Sequence, residues 1–156
     1  MPLDNVPTIE ESIDIDAPPA KVWALVSELK NMPRWSPQTA KSFVRGGGPT
    51  KADSRLININ RRGFLVWPTN SKVVRFEPEQ EIAWRIKDNY MVWSYTLEPT
   101  AAGGTTLTSR REAPEGISDI SVRLTKLAMG GVDNFAAELK RDMATTLTKI
   151  KADAER

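Results

Sequence analysis

The residues of this chain best suited to chemistry are aromatic. From Met91 to Leu97 the pattern alternates, with Met91, Trp93, Tyr95 and Leu97 on one face and Val92, Ser94 and Thr96 on the other, as a strand with one buried face requires. Trp67 and Trp84 fall in other strand-like segments. Rings that share an inward face either fill a core or line a pocket. In a pocket, the Tyr95 hydroxyl and the indole N–H groups would be its few polar points. Arg85, Arg110 and Glu112 would orient a carbonyl or a water if they face inward, and would form a solvated ion-pair ladder if they face outward. Arg85 alternates with the Ile82-Trp84-Ile86 row, so it is solvated if that row points inward. On the last strand, Ser109 and Arg111 follow Leu107, while Thr106, Thr108, Arg110 and Glu112 form the other row. The pattern leaves open which row is buried.

Absent residue types narrow the chemistry. There is no Cys and no His, which excludes disulfides, thiolate catalysis, the Ser-His-Asp arrangement and His metal clusters. A catalyst built from this chain would need a Tyr, Glu or Asp with a shifted pKa, or a water held by Arg. Asp14 and Asp16 share a polar strand face, and paired catalytic carboxylates need burial to separate their pKa values, so they read as surface charge. Gly46-Gly47-Gly48-Pro49 lacks the Lys-Ser/Thr and the helix that follow a phosphate-binding loop. No metal or cofactor is expected. The 22 basic and 20 acidic residues leave a formal charge of +2. Lys and Arg are scattered along the chain, so no basic patch and no nucleic-acid partner are expected. With neither an export signal nor an apolar run long enough to span a bilayer, a soluble cytoplasmic protein is expected.

These side chains are positioned by elements whose order can be read. Thr8 to Asp16 alternates as a half-buried strand, with Ile9, Ile13 and Ile15 inward. Ala17-Pro18-Pro19 opens a helix carrying Val22, Leu25, Val26 and Leu29, which Met32-Pro33 stops. Trp23 sits near its buried side. Arg34-Trp35-Ser36-Pro37 forms a short irregular or helical piece. From Thr39 onward the period is two, and turns arrive at hairpin spacing. Strands are expected around Ser42–Arg45, at Ser54–Asn60, Phe64–Phe76, Ile82–Lys87 and Tyr90–Glu98, and at Thr105–Glu112, joined as an antiparallel meander. Pro68 must lie at an edge or a bulge. Apolar residues from Ile117 to Ile150, at steps of three and four, form one stripe of a long helix, interrupted at Gly130-Gly131. A sheet of this length curls, and the helix can lie across its concave side. The whole chain, 1–156, reads as a single domain of the α+β class: a curved seven-stranded antiparallel sheet around a long C-terminal helix, with two short helices after strand 1.

Several stretches carry a resemblance. Ser12-Ile13-Asp14-Ile15-Asp16-Ala17-Pro18-Pro19-Ala20-Lys21-Val22-Trp23 resembles the start of START-related (SRPBCC) proteins, which include polyketide cyclase/dehydrase-like proteins and the birch-pollen-allergen, or Bet v 1-like, fold. The likeness continues through Met32-Pro33-Arg34-Trp35-Ser36-Pro37, Arg75-Phe76-Glu77-Pro78, Ile82-Ala83-Trp84-Arg85 and Trp93-Ser94-Tyr95-Thr96-Leu97-Glu98-Pro99. It ends with Gly103-Gly104-Thr105-Thr106-Leu107-Thr108. The resemblance implies a helix-grip fold whose sheet closes around the last helix over a cavity for an apolar small molecule. It places Trp35 near one end of that cavity.

The expected ligand-binding residues are Trp35, Trp67, Trp84, Met91, Trp93, Tyr95, Met129, Phe135 and Leu139. The leading expectation is a binding protein for a lipid-like, polyketide-like or aromatic molecule, with an apolar void of about 300 Å³ or more. The alternative is a cyclase or dehydratase acting by substrate positioning, which requires an ionisable group buried in that void. A third is a protein-interaction role, as in ribosome-associated or toxin-like branches of the superfamily, which requires an exposed apolar patch.

Overall fold

The computed structural model describes residues 8–113 and 132–156, with side chains from 136 onward in the second stretch. Strand β1 (Ile9–Ile15) buries Ile9 and Ile15 and exposes Glu10, Ser12 and Asp14. Helix α1 (Pro19–Val26) starts at a proline, whose missing N–H would have had no partner in a first turn. The amides of Lys21 and Val22 donate to the Pro18 carbonyl at 3.0 and 3.2 Å. A 3-10 helix follows at Leu29–Arg34. Pro33 lies inside it and lacks the N–H that an α-helix would aim at Leu29, which favours this tighter, short form.

Six strands complete the sheet: β2 (Thr39–Val44), β3 (Arg55–Arg62), β4 (Leu65–Glu77), β5 (Glu81–Ile86), β6 (Val92–Pro99) and β7 (Thr105–Glu112). The expected meander is present, with boundaries displaced by a few residues at most. Strand β1 pairs with β7, giving the antiparallel order β1-β7-β6-β5-β4-β3-β2. The sheet therefore ends in β1 on one side and β2 on the other. Register shifts at Thr39/Lys41 and Val73/Arg75 mark bulges, which add local twist and bend the sheet. Pro68 satisfies its constraint because β4 outruns β5. Its partner on β3 is Ile59, whereas pairing with β5 begins only at Ser71.

Helix α2 (Val132–Ala154) fills the concave side. Leu139, Met143, Leu147, Ile150 and Ala154 are buried, one stripe at steps of three and four. Its lower part joins Ile15, Val22, Leu56, Ile82, Tyr95 and Leu107 in the main core. The helix continues one turn past the expected end at Ile150. The first half of the expected Ile117–Ile150 helix, with Met129 and Gly130-Gly131, lies outside the described residues, as does the Phe135 side chain. At the β6–β7 turn Gly104 is required by space, because a Cβ there would meet the Ile15 carbonyl oxygen at 2.5 Å.

Two questions of placement are answered by this architecture. On β7 the row Thr105, Leu107, Ser109 and Arg111 is buried, so Ser109 and Arg111 do follow Leu107 inward. The scattered cations, by contrast, are not dispersed in space. Residues 39–74 carry seven basic residues against one acidic residue, a net of +6, so the remainder of the +2 chain holds −4. The meander folds that basic stretch into β2, β3 and most of β4, at one edge of the sheet.

Candidate functional site

Between the concave sheet and α2 lies a cavity of about 130 Å³. Leu29 and Met32 of the 3-10 helix close one side, Trp84, Ile86, Trp93 and Tyr95 form part of the sheet wall, and Leu139 and Met143 descend from α2. Trp84 and Tyr95 meet with ring centroids 5.6 Å apart and planes tilted by 49°. The volume is less than half the expected void of about 300 Å³, because the large side chains on both sides fill much of the space. A more open hollow of about 410 Å³ over the Val44–Arg55 connection is walled only by that loop and its flanks. It contains none of the aromatic or buried ionisable side chains found between sheet and helix.

The opposite wall of the inner cavity is polar. Inward-facing Asn58 and Asn60 of β3 adjoin Thr69 and Ser71 of β4. The Asn60 side-chain amide donates to Thr69 Oγ1 at 3.0 Å and to the Trp67 carbonyl at 3.3 Å, and Ser42 Oγ donates to Asn58 Oδ1 at 2.7 Å. These side chains inherit their direction from Leu56, which is 1% exposed and lies in the same row. Strand β3 thus runs against the usual alternation. Its asparagines point at the cavity, and its isoleucines, Ile57 and Ile59, lie on the outer row.

Two ionisable groups line the described part of the cavity. Asp142 of α2 accepts a hydrogen bond from Gln38 Nε2 at 2.8 Å. Partial burial raises its pKa above the ordinary carboxyl value, an effect that the Gln38 hydrogen bond opposes. The Tyr95 hydroxyl lies 3.6 Å from Met32 Sδ, and burial lifts its pKa well above the usual phenol range. It therefore stays protonated at neutral pH and keeps its hydrogen for donation. Just beyond Ser109 in the inward row of β7 sits Arg111, only 6% exposed, opposite Ile9 on β1 and Trp93 on β6. Its Nε has no hydrogen-bond partner, and burial brings its pKa down to about 10.

Of the expected site residues, Trp84, Trp93, Tyr95 and Leu139 line the cavity. Met91 is buried just ahead of β6, outside the lining residues. Trp67 is half-buried on the inward row of β4 but beyond the cavity's end. Trp35 is not among the lining residues: it is 1% exposed within the core, and its indole N–H donates to Asp153 at 2.6 Å. Trp23, expected near the buried side of its helix, is half-buried and packs edge-on against Phe76 at 5.2 Å. Met129 and the Phe135 side chain fall outside the described residues. Arg85 stacks over Tyr90 at 5.3 Å, and Arg110 pairs with Glu10 at 2.7 Å. Neither is among the lining residues. Sequence reasoning missed the polar wall, Asp142 and Arg111. The available signal was the Asn58-x-Asn60 spacing on a strand whose Leu56 belongs to the core.

The profile of a family described as polyketide cyclase / dehydrase and lipid transport matches residues 6–155. No curated protein sequence matches the chain. Among solved structures, the di-domain ARO/CYC BexL from the BE-7585A biosynthetic pathway aligns with a TM-score of 0.72 at 20% identity, covering 96% of this chain and 50% of that one. This chain therefore spans about half the length of BexL. The KanY protein aligns with a TM-score of 0.70 at 16% identity, over 97% of this chain and 99% of its own. Zhui aromatase/cyclase from Streptomyces sp. R1128 gives 0.68 at 15% identity, over 96% and 94%. At identities this low, the structural likeness is one of fold. The profile match, which runs through nearly every element described above, shows that the chain belongs to the polyketide cyclase/dehydrase and lipid-transport family, within the START-related superfamily of Bet v 1-like helix-grip proteins.

Proposed function

We propose that this protein binds a small, largely planar, oxygen-bearing molecule of aromatic or polyketide-like character between its sheet and α2. The observation that carries this reading is the two-sided cavity, with Trp84, Trp93 and Tyr95 on one wall and Asn58, Asn60, Thr69 and Ser71 on another. Rings fit the first wall, and hydroxyl or carbonyl oxygens fit the second. A purely aliphatic lipid tail would leave the asparagines without ligand partners. Arg111, a buried cation beside Trp93 whose Nε has no hydrogen-bond partner, favours a ligand with an acidic enol or carboxyl group. A volume of about 130 Å³ holds about one ring without rearrangement. Larger ligands require Met32 and Met143 to move, which their unbranched side chains allow.

The test is native mass spectrometry of the protein purified from its own host, followed by extraction of any retained molecule. An oxygenated aromatic or polyketide-like adduct is expected. Retention of saturated lipid alone, or no binding of phenols and naphthols in a tryptophan-fluorescence titration, would sink the proposal.

A second reading, cyclase or dehydratase activity, is favoured by Asp142. A carboxyl group with a raised pKa and a tuning partner is the ionisable group such catalysis requires. In a dehydration, the Asp142 carboxylate would take a proton from the carbon beside a carbonyl. It would then return that proton to the departing hydroxyl, which leaves as water while the carbon–carbon double bond forms. Tyr95 would donate its hydrogen bond to the carbonyl oxygen as charge develops there. Asp142→Asn should abolish turnover of a β-hydroxy ketone while leaving binding nearly unchanged. Turnover that survives the substitution excludes this role.

A further inference from the structure

The edge of the sheet farthest from β1 carries an apolar surface that no element among the described residues covers. Phe64, at the tip of the β3–β4 hairpin, is 107% exposed, Val66 is 57% and Phe43 is 54%. Gly63, with φ of +61°, makes the tight turn that leaves Phe64 projecting beyond the sheet. Register extends this patch across the outer face: Phe43 lies opposite Ile57, and Ile59 lies opposite Pro68. These are the outer positions of the same strands whose asparagines face the cavity. One reversal of alternation therefore creates both a polar inner wall and an apolar outer row.

Cations frame the apolar row. Lys41, Arg45, Arg55, Arg61 and Lys72 are all exposed. Asp53 is the one acidic residue in the 39–74 stretch, and it lies 3.6 Å from Lys72. The face is also convex, being the reverse of the surface that wraps α2. A projecting Phe within a spread of cations fits an anionic bilayer. The headgroups supply negative charge without demanding a register, and the interface accepts the apolar tip. Duplex nucleic acid would satisfy the charge but offers nothing for Phe64, Leu65 and Val66 to enter.

We infer that the outer face of β2–β4 docks on anionic membrane surfaces, with the Gly63–Val66 tip entering the interface. The site is peripheral, since no described helix is long and apolar enough to cross a bilayer. Docking would bring the cavity close to the membrane, because Asn60 and Thr69 lie near the base of the same hairpin. Arg62, at the end of β3, is joined to Glu138 of α2 at 2.6 Å, so the base of the hairpin is tied to the helix that closes the cavity. The inference does not depend on what the cavity holds.

The test uses the ligand-free full chain in sedimentation with phosphatidylcholine vesicles, with and without phosphatidylserine. Binding is expected with phosphatidylserine and should weaken as salt is raised. Phe64→Ser should reduce partitioning at least tenfold. Arg61→Gln and Lys41→Gln should each reduce it about fivefold. Circular dichroism should show all three variants folded, since the substituted residues are exposed. Failure to bind phosphatidylserine vesicles at low salt overturns the inference, as does binding unchanged by Phe64→Ser. So does equal affinity for a duplex oligonucleotide that Phe64→Ser leaves intact, or a Phe64-dependent dimer in sedimentation velocity without vesicles. Vesicle binding by a protein that binds no phenol or naphthol in the fluorescence titration would leave the inference standing while removing the proposed ligand.

Discussion

The indole N–H of Trp35 donates to Asp153 Oδ2 at 2.6 Å, joining the segment after the 3-10 helix to the last turn of α2. The same oxygen accepts from Arg34 Nη2 at 3.0 Å, and Arg156 lies 3.4 Å from the other carboxylate oxygen. The Asp153 side chain is only 13% exposed. Trp35→Phe keeps the ring's packing but removes a charge-assisted hydrogen bond, and should cost about 2 kcal/mol. A denaturant titration of Trp35→Phe, Asp153→Asn and the double variant measures the coupling. Strictly additive effects would show that the pair contributes nothing beyond packing.

Arg111 leads to the opposite expectation. Its guanidinium is buried, with Nε unpartnered, and burial lowers its pKa to about 10, so desolvation of this charge is a cost to folding. Arg111→Met should stabilise the protein by about 1–3 kcal/mol. Because the native pKa is lowered to about 10, the cost of the charge is fully present below that value and is relieved as pH rises from there toward the unfolded value. The gain in Arg111→Met should therefore be constant from about pH 5 to 9. Thermal melts across that span check both sign and constancy. A destabilised variant would mean that the guanidinium is compensated.

The shift of Asp142 has a sign that can be followed in stability. A carboxyl whose folded pKa is raised costs nothing below its unfolded pKa, and the cost accrues as pH rises from there to the folded value, above which it is constant. Asp142→Asn, which retains a polar group for Gln38, should be at least as stable as the parent at neutral pH. Any advantage should fade as pH falls through the raised pKa. Melting curves of the two proteins from neutral to acid pH provide the comparison. An advantage that grows on acidification would contradict the assigned direction.

Gly104 offers a steric test. A Cβ placed 2.5 Å from the Ile15 carbonyl oxygen forces the end of β1 away from the β6–β7 turn. Gly104→Ala should destabilise by about 2 kcal/mol. The amide of Ile15, which sits at the displaced end, should lose hydrogen-exchange protection before that of Ile13 does. Uniform loss along β1 would point to global destabilisation instead.

The fold was legible because its signals are local. Alternation marked β1, Pro18-Pro19 marked the start of α1, and Gly and Asn-rich turns marked the meander. The alternation of β6 put Trp93 and Tyr95 on one face, and both border the cavity, as does Trp84 of β5. The burial of Trp35 could not be read in the sequence, because its indole is held by Asp153, 118 residues away, and no periodicity connects them. The inward row of β7 could not be chosen by hydropathy, since Ser109 and Arg111 are as polar as the residues between them. The polar cavity wall was hidden for a related reason. In Ile57-Asn58-Ile59-Asn60, simple alternation directs the isoleucines inward, whereas the sheet follows Leu56. The basic edge escaped notice because cations separated in sequence become neighbours only when β2, β3 and β4 are laid side by side.

That uneven distribution has a consequence of its own. One sheet edge lies in a stretch of net +6, while the rest of the chain carries −4, including the exposed Glu10 and Asp14 of β1 at the other edge. The basic edge therefore carries a local charge larger than the molecule's small total. The molecule should be retained by a cation-exchange resin near its isoelectric point, bound through one edge, and so be presented to any charged surface in a preferred orientation before contact is made.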